Sequence, residues 1–144
     1  MDESLSRQIC QAFSVERPDM RTYSPLTLAY IGDGIFDMVI RTLVVCRENA
    51  SANTLHGKTS QIVKASAQAK MAEAVADVLT EEEQGMLRRG RNAKSKTMAK
   101  NATMKDYRAA TGFEALLGYL YLNGRMERLL ELVKLGLERT GTGE

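Results

Sequence analysis

Leu26-Thr27-Leu28-Ala29-Tyr30-Ile31-Gly32-Asp33-Gly34-Ile35-Phe36-Asp37-Met38-Val39-Ile40 is apolar enough for a protein core, yet a carboxylate stands at its centre. A second stretch, Ala109-Ala110-Thr111-Gly112-Phe113-Glu114-Ala115-Leu116-Leu117-Gly118-Tyr119-Leu120-Tyr121-Leu122, repeats the oddity around Glu114. Burying an ionised carboxylate costs several kcal/mol unless a partner compensates it, and a hard cation is one such partner. Neither stretch alternates with period two, so both are expected as core helices. Gly32 and Gly34 each cost about 1 kcal/mol inside a helix relative to Ala. Gly112 and Gly118 thin the second segment in the same way. Small residues beside both acids would let two helices cross closely and leave room for an ion. Two arrangements satisfy the pattern. One is an oxygen-only site, which favours Mg²⁺ or Mn²⁺ over zinc. The other is structural, with each acid satisfied by a buried Arg, a hydroxyl or a backbone amide.

The rest of the chain also reads as helix. Its prolines are Pro18 and Pro25, and no strand periodicity interrupts it. A first helix is expected over Leu5 to Phe13, then a turn around Arg17-Pro18-Asp19. Ser24-Pro25 opens the helix containing Asp33, with Ser as N-cap and Pro where its missing N–H costs nothing. That helix should run to about Arg47. Ser51 or Asn53 caps a single long helix to about Leu79, with Ile62, Val63, Ala65, Ala69, Ala72, Val75 and Ala76 as its apolar stripe. Thr80-Glu81-Glu82-Glu83 is a capping-box start for a helix fading near Gly90. Residues 105 to 122 form the helix of Glu114, ended by Asn123-Gly124, and a last helix spans about Met126 to Arg139. The expectation is one all-α domain covering residues 1–144.

At 144 residues the chain suits one core. Asp33, Asp37 and Arg41 break up the best apolar run, so no membrane span is expected. The acidic Met1-Asp2-Glu3-Ser4 start does not resemble a signal peptide. Cys10 and Cys46 have no metal or redox spacing, which suits reduced thiols in the cytoplasm. The net charge of +2 conceals a sharp asymmetry. Arg88, Arg89, Arg91, Lys94, Lys96, Lys100 and Lys105 lie in a stretch without Asp or Glu, which leaves thirteen bases against all 18 acids elsewhere. Such a segment on an acidic body points to a polyanion partner. Roughly residues 88–104 are expected as an exposed basic loop, with Asn92 and Ser95 adding neutral hydrogen bonds. The segment lacks aromatics, which argues against stacking on single-stranded bases. Duplex RNA, which offers phosphates and 2′-hydroxyls, suits it better. His56, Lys58 and Lys64 offer a second basic face. For the loop and for His56 alike, a solvated surface with no partner remains the alternative.

Ile31-Gly32-Asp33-Gly34-Ile35-Phe36 resembles the core of the ribonuclease III signature, and Thr111 to Leu122 resembles that family's second acidic motif. Ser24 to Asp33, Arg88-Arg89-Gly90-Arg91-Asn92-Ala93-Lys94-Ser95 and Phe113 to Tyr119 are similar to the Mini-III branch, which lacks a double-stranded-RNA-binding domain. The resemblance spans nearly the whole chain. It implies a helical homodimer that cuts both strands of duplex RNA with Mg²⁺, or Mn²⁺ in its place, leaving 5′-phosphate and 3′-hydroxyl ends. It further implies precursor 23S ribosomal RNA as substrate, with a ribosomal protein as a possible presenter. Asp33 and Glu114 match the family's catalytic, metal-binding acids. The chain departs from the long family members at Leu26, Ala29 and Thr111, where they carry acids. A single protein-anchored ion then fits better than two. Asp37, one turn beyond Asp33, is either an outer acid of the site or an ion-pair partner of Arg41 at i+4. Thr111 is a second outer candidate. A non-catalytic RNA-binding or ribosome-assembly factor is the alternative function, and a DNA-binding regulator is a weaker one.

Overall fold

The central element of the computed structural model is the helix that carries Glu114. Every residue from Ala110 to Tyr121 is buried except Glu114 itself, which is partly exposed. A helix apolar on all sides must be surrounded, and four other helices pack around it. The structure describes residues 4–17, 19–94 and 103–142. In chain order its helices are α1 (Leu5–Ala12), α2 (Pro25–Arg47), α3 (Ala52–Val63), α4 (Ala65–Val75), α5 (Glu81–Asn92), α6 (Met104–Leu122) and α7 (Met126–Thr140). Short 3₁₀ turns occur at Met20–Thr22 and Ala76–Val78. The described residues contain no strand, and none of their helices is long and apolar enough to cross a membrane.

Local chemistry starts the helices where expected. The Ser24 hydroxyl accepts from the Thr27 amide, and Ser51 does the same for Thr54. The Thr80 capping box is complete: its hydroxyl accepts from the Glu83 amide, and the Glu83 carboxylate accepts from the Thr80 amide. α2, α4, α5 and α7 pack around α6, and Phe36 meets Phe113 edge to face with ring centres 5.8 Å apart. Two crossings depend on glycine. A Cβ built on Gly32 would stand 1.7 Å from the Glu114 carbonyl oxygen, and one on Gly118 would stand 1.9 Å from that of Leu28. On the neighbouring side of α6, a Cβ on Gly90 would stand 2.7 Å from the Cα of Gly112.

Three expectations are corrected. The long helix from Ser51 to Leu79 is broken at Lys64, whose extended backbone (φ −65°, ψ 155°) turns α4 onto α6. The basic loop expected over residues 88–104 starts later, because the helix begun at Thr80 continues through Gly90, where α5 packs against α6, to Asn92. Asp33 is exposed in this chain, not buried, since α2 presents that side outward. Among the described residues the most buried acid is instead Glu83, 1% exposed. It accepts from Arg128 Nε at 2.9 Å and Nη2 at 2.8 Å, which joins α5 to α7.

Candidate active site

The Gly32–Gly118 crossing brings the two acids together. Gly32 lies against the Glu114 backbone, so its neighbour Asp33 reaches the Glu114 side chain, and the two carboxyl groups share a hydrogen bond. Burial pushes the Glu114 carboxyl up to about 8, and the hydrogen bond to Asp33 and that residue's negative charge push in the same direction. The Gln68 amide opposes them. At neutral pH Glu114 therefore holds a proton, which its bond to Asp33 stabilises. A proton held between two carboxyl groups stands where a cation can replace it.

Gln68 was not evident as a site residue. It lies on α4 among Ala67, Met71, Ala72 and Val75, and it is 2% exposed. Its Nε2 donates to the Val63 carbonyl at 2.8 Å and to Glu114 Oε2 at 3.3 Å. The available signal was an amide on the apolar stripe of a helix, a position where a polar group needs a partner.

The other acidic-site candidates lie outside this contact. Asp37 forms an ion pair with Arg41 at 2.5 Å, the i+4 alternative. Thr111 is buried one turn before Glu114, and its hydroxyl donates to the Tyr107 carbonyl at 2.9 Å. Leu26 and Ala29 occupy the preceding turns of α2 without supplying an oxygen ligand. The described residues contain no group of three or more His, Cys, Asp or Glu able to hold a metal. The pair still fits a hard cation: its side-chain donors are oxygens, one side is open, and the Oε1 of Gln68 is buried without a partner.

The basic residues divide between two elements. Arg88, Arg89, Arg91 and Asn92 are exposed on the last turns of α5, so they form a helical face and not a loop, while Lys94 is exposed just beyond. Arg91 is held by the Gly90–Gly112 crossing, two residues along α6 from Glu114. Arg89 also lines a cavity with Arg21, Glu82 and Tyr119, in which the Tyr119 hydroxyl donates to Glu82. Ser95, Lys96 and Lys100 lie outside the described residues. On α3, His56 is exposed and Lys58 is paired with Glu48. Lys64, at the α3–α4 break, donates to Gln61 at 2.9 Å.

Known proteins resemble this chain in sequence and in fold. The model of the Ribonuclease III domain matches residues 26–125. A Mini-ribonuclease 3 of Thermoanaerobacter sp. (strain X514) is 50% identical over 115 residues, covering 80% of this chain and 81% of that protein. One of Clostridium tetani is 48% identical over 120 residues, with coverage of 83% and 80%. A solved protein of Fusobacterium nucleatum superposes with a TM-score of 0.75 at 28% identity, covering 83% of this chain and 96% of that one. The chain belongs to the ribonuclease III family, in its Mini-ribonuclease 3 branch, and is an endoribonuclease.

Proposed function

We propose that this endoribonuclease cuts double-stranded RNA with Mg²⁺ as a homodimer in the cytoplasm, and that it matures the ends of precursor 23S ribosomal RNA. The observation that carries this reading is the Asp33–Glu114 carboxyl pair at a crossing only glycines permit. Asp33 and Glu114 would hold the cation, which when bound supplies an activated water and charge stabilisation at a phosphodiester oxygen. Glu114 releases its proton as the cation is taken up, so the pair changes from a shared-proton state to two ligand carboxylates. Arg88, Arg89 and Arg91 receive phosphates along the duplex, with Asn92 and Lys94 at the end of the same face. Ser95, Lys96 and Lys100 extend that contact, and His56, Lys58 and Lys64 form a second one, for which Lys58 must exchange its Glu48 partner.

Support for a second copy comes from α2, which leaves Leu26 and Tyr30 exposed on the side that includes Asp33, with Met38 and Val45 exposed further round the helix. Tyr30 is 81% exposed one turn from the exposed Leu26, and adjoining exposed apolar side chains mark interaction surfaces. Two-fold pairing would set one acidic centre against each strand of a duplex.

The test is cleavage of a long RNA duplex and of a 23S precursor end, with and without Mg²⁺. Asp33→Asn should abolish cleavage while leaving duplex binding in Ca²⁺ nearly intact. Mg²⁺-dependent cleavage by clean Asp33→Asn protein would overturn the mechanism. Efficient cutting of generic duplex but not of the precursor would overturn the ribosomal assignment alone.

A further inference from the structure

Gln68 is a costly residue for its position. An amide withdrawn from water requires hydrogen bonds at both ends, and an unpartnered end loses its solvation without return. The nitrogen end is fully committed: Nε2 spends its two hydrogens on the Val63 carbonyl and Glu114 Oε2. Those acceptors fix the amide orientation, because turning it over would place Oε1 against two oxygens. The oxygen end is left alone. Oε1 is the one buried side-chain polar atom without a hydrogen-bond partner among the described residues. A glutamine needed only for packing could be replaced by an apolar residue of similar volume, leaving no stranded oxygen. A glutamine needed only to end α3 would require Nε2 on Val63 and nothing on Glu114.

We propose that Gln68 is a positioning residue of the cation site: Nε2 pins the Glu114 carboxylate, and Oε1 accepts a hydrogen bond from a water of the cation's hydration shell. The inference rests on the reading of Asp33 and Glu114 as cation anchors. Mg²⁺ and Mn²⁺ held by few protein ligands keep several waters, and each needs an acceptor. Groups that orient metal ligands from behind typically account for 10–100-fold in metal affinity. The break at Lys64 fits the same role, since it sets the start of α4 so that Gln68 reaches both the last carbonyl of α3 and the acid on α6.

The experiment is Mn²⁺ binding to the RNA-free, full-length protein, followed by titration calorimetry and by the electron paramagnetic resonance signal of free Mn²⁺. Unaltered protein, Asp33→Asn and Gln68→Met are compared, with circular dichroism reporting on folding. Gln68→Met should bind Mn²⁺ about 10–100-fold more weakly while remaining helical. Binding within twofold of the unaltered protein, with Asp33→Asn strongly impaired, overturns the role of Gln68 alone. Unimpaired binding by Asp33→Asn overturns the anchor reading beneath it. The unaltered protein supplies an independent measure should Gln68→Met fail to fold. An Mn²⁺-soaked crystal should show a cation-bound water within about 3 Å of Oε1. A dry Oε1, or one paired with a protein donor, refutes the proposal.

Discussion

Replacing Gly32 with alanine adds one methyl group at the tightest of the described glycines. Its Cβ would stand 1.7 Å from the Glu114 carbonyl oxygen, 2.6 Å from the carbonyl carbon and 2.9 Å from the Gly118 nitrogen. Real Cβ atoms do not approach closer than 3.0 Å, so α2 and α6 must separate by about 1.3 Å. All three obstacles are backbone, so no rotamer change relieves the clash. Overpacking of this kind costs about 1–3 kcal/mol, and the rigid obstacle places Gly32→Ala at the upper end. The better helix propensity of alanine returns at most about 1 kcal/mol. A net loss of about 2–3 kcal/mol should lower the melting temperature by roughly 4–12 °C for a chain of this size. The same separation moves Glu114 away from Asp33, and a misplacement of about 1 Å can reduce a catalysed rate about 100-fold. Urea and thermal denaturation at fixed protein concentration, with single-turnover RNA cleavage, measure both effects. Gly57→Ala is the control: its Cβ meets nothing within 4 Å. It should stabilise the fold by about 0.5–1 kcal/mol. The reasoning fails if Gly32→Ala is as stable as the unaltered protein to within about 0.5 kcal/mol.

Arg128→Met strands the Glu83 carboxylate, which is 1% exposed, with the Thr80 amide as its remaining partner in the structure. It should cost about 3–5 kcal/mol in urea denaturation, and a loss below about 1 kcal/mol would show the pair to be dispensable. The pH dependence follows from Glu114, whose carboxyl is raised from 4.5 to about 8. The folded state keeps a proton that the unfolded chain releases, so metal-free stability should fall as pH rises from 4.5 to about 8 and then level off. The full shift corresponds to at most about 5 kcal/mol. Glu114→Gln should flatten the profile, and an unchanged slope in that variant would assign it to another group. Over the same range Mn²⁺ affinity should rise up to about tenfold per pH unit, with proton release in calorimetry; pH-independent binding would contradict the shared-proton state. Arg91→Ala should weaken duplex RNA binding and reduce the salt slope by about 1, and an unaltered slope would remove Arg91 from the phosphate contacts.

The helix starts were legible because their chemistry is local. Ser24, Ser51 and Thr80 each accept from an amide three residues on, a relation that needs no other part of the chain. The close approach was legible only in part: Gly32 and Gly118 mark it, whereas Gly34 and Gly57, equally costly in a helix, have nothing within 4 Å of a built Cβ. Asp33 and Glu114 could be named from their apolar surroundings, but not the proton they share, which depends on how deeply the crossing buries Glu114. The break at Lys64 has no proline or glycine to announce it, because it is held by packing on α6 and by the Gln68 amide on Val63. The exposure of Asp33 and the pairing of Glu83 with Arg128, 45 residues away, were equally hidden. The sequence by itself determined the helix starts at Ser24, Ser51 and Thr80, the glycine crossing and the two acids. Only the tertiary structure decided which acid is desolvated, which is neutralised by arginine and which amide supports the pair. Those outcomes depend on distances between segments remote in the chain, and spacing along one helix carries no record of them.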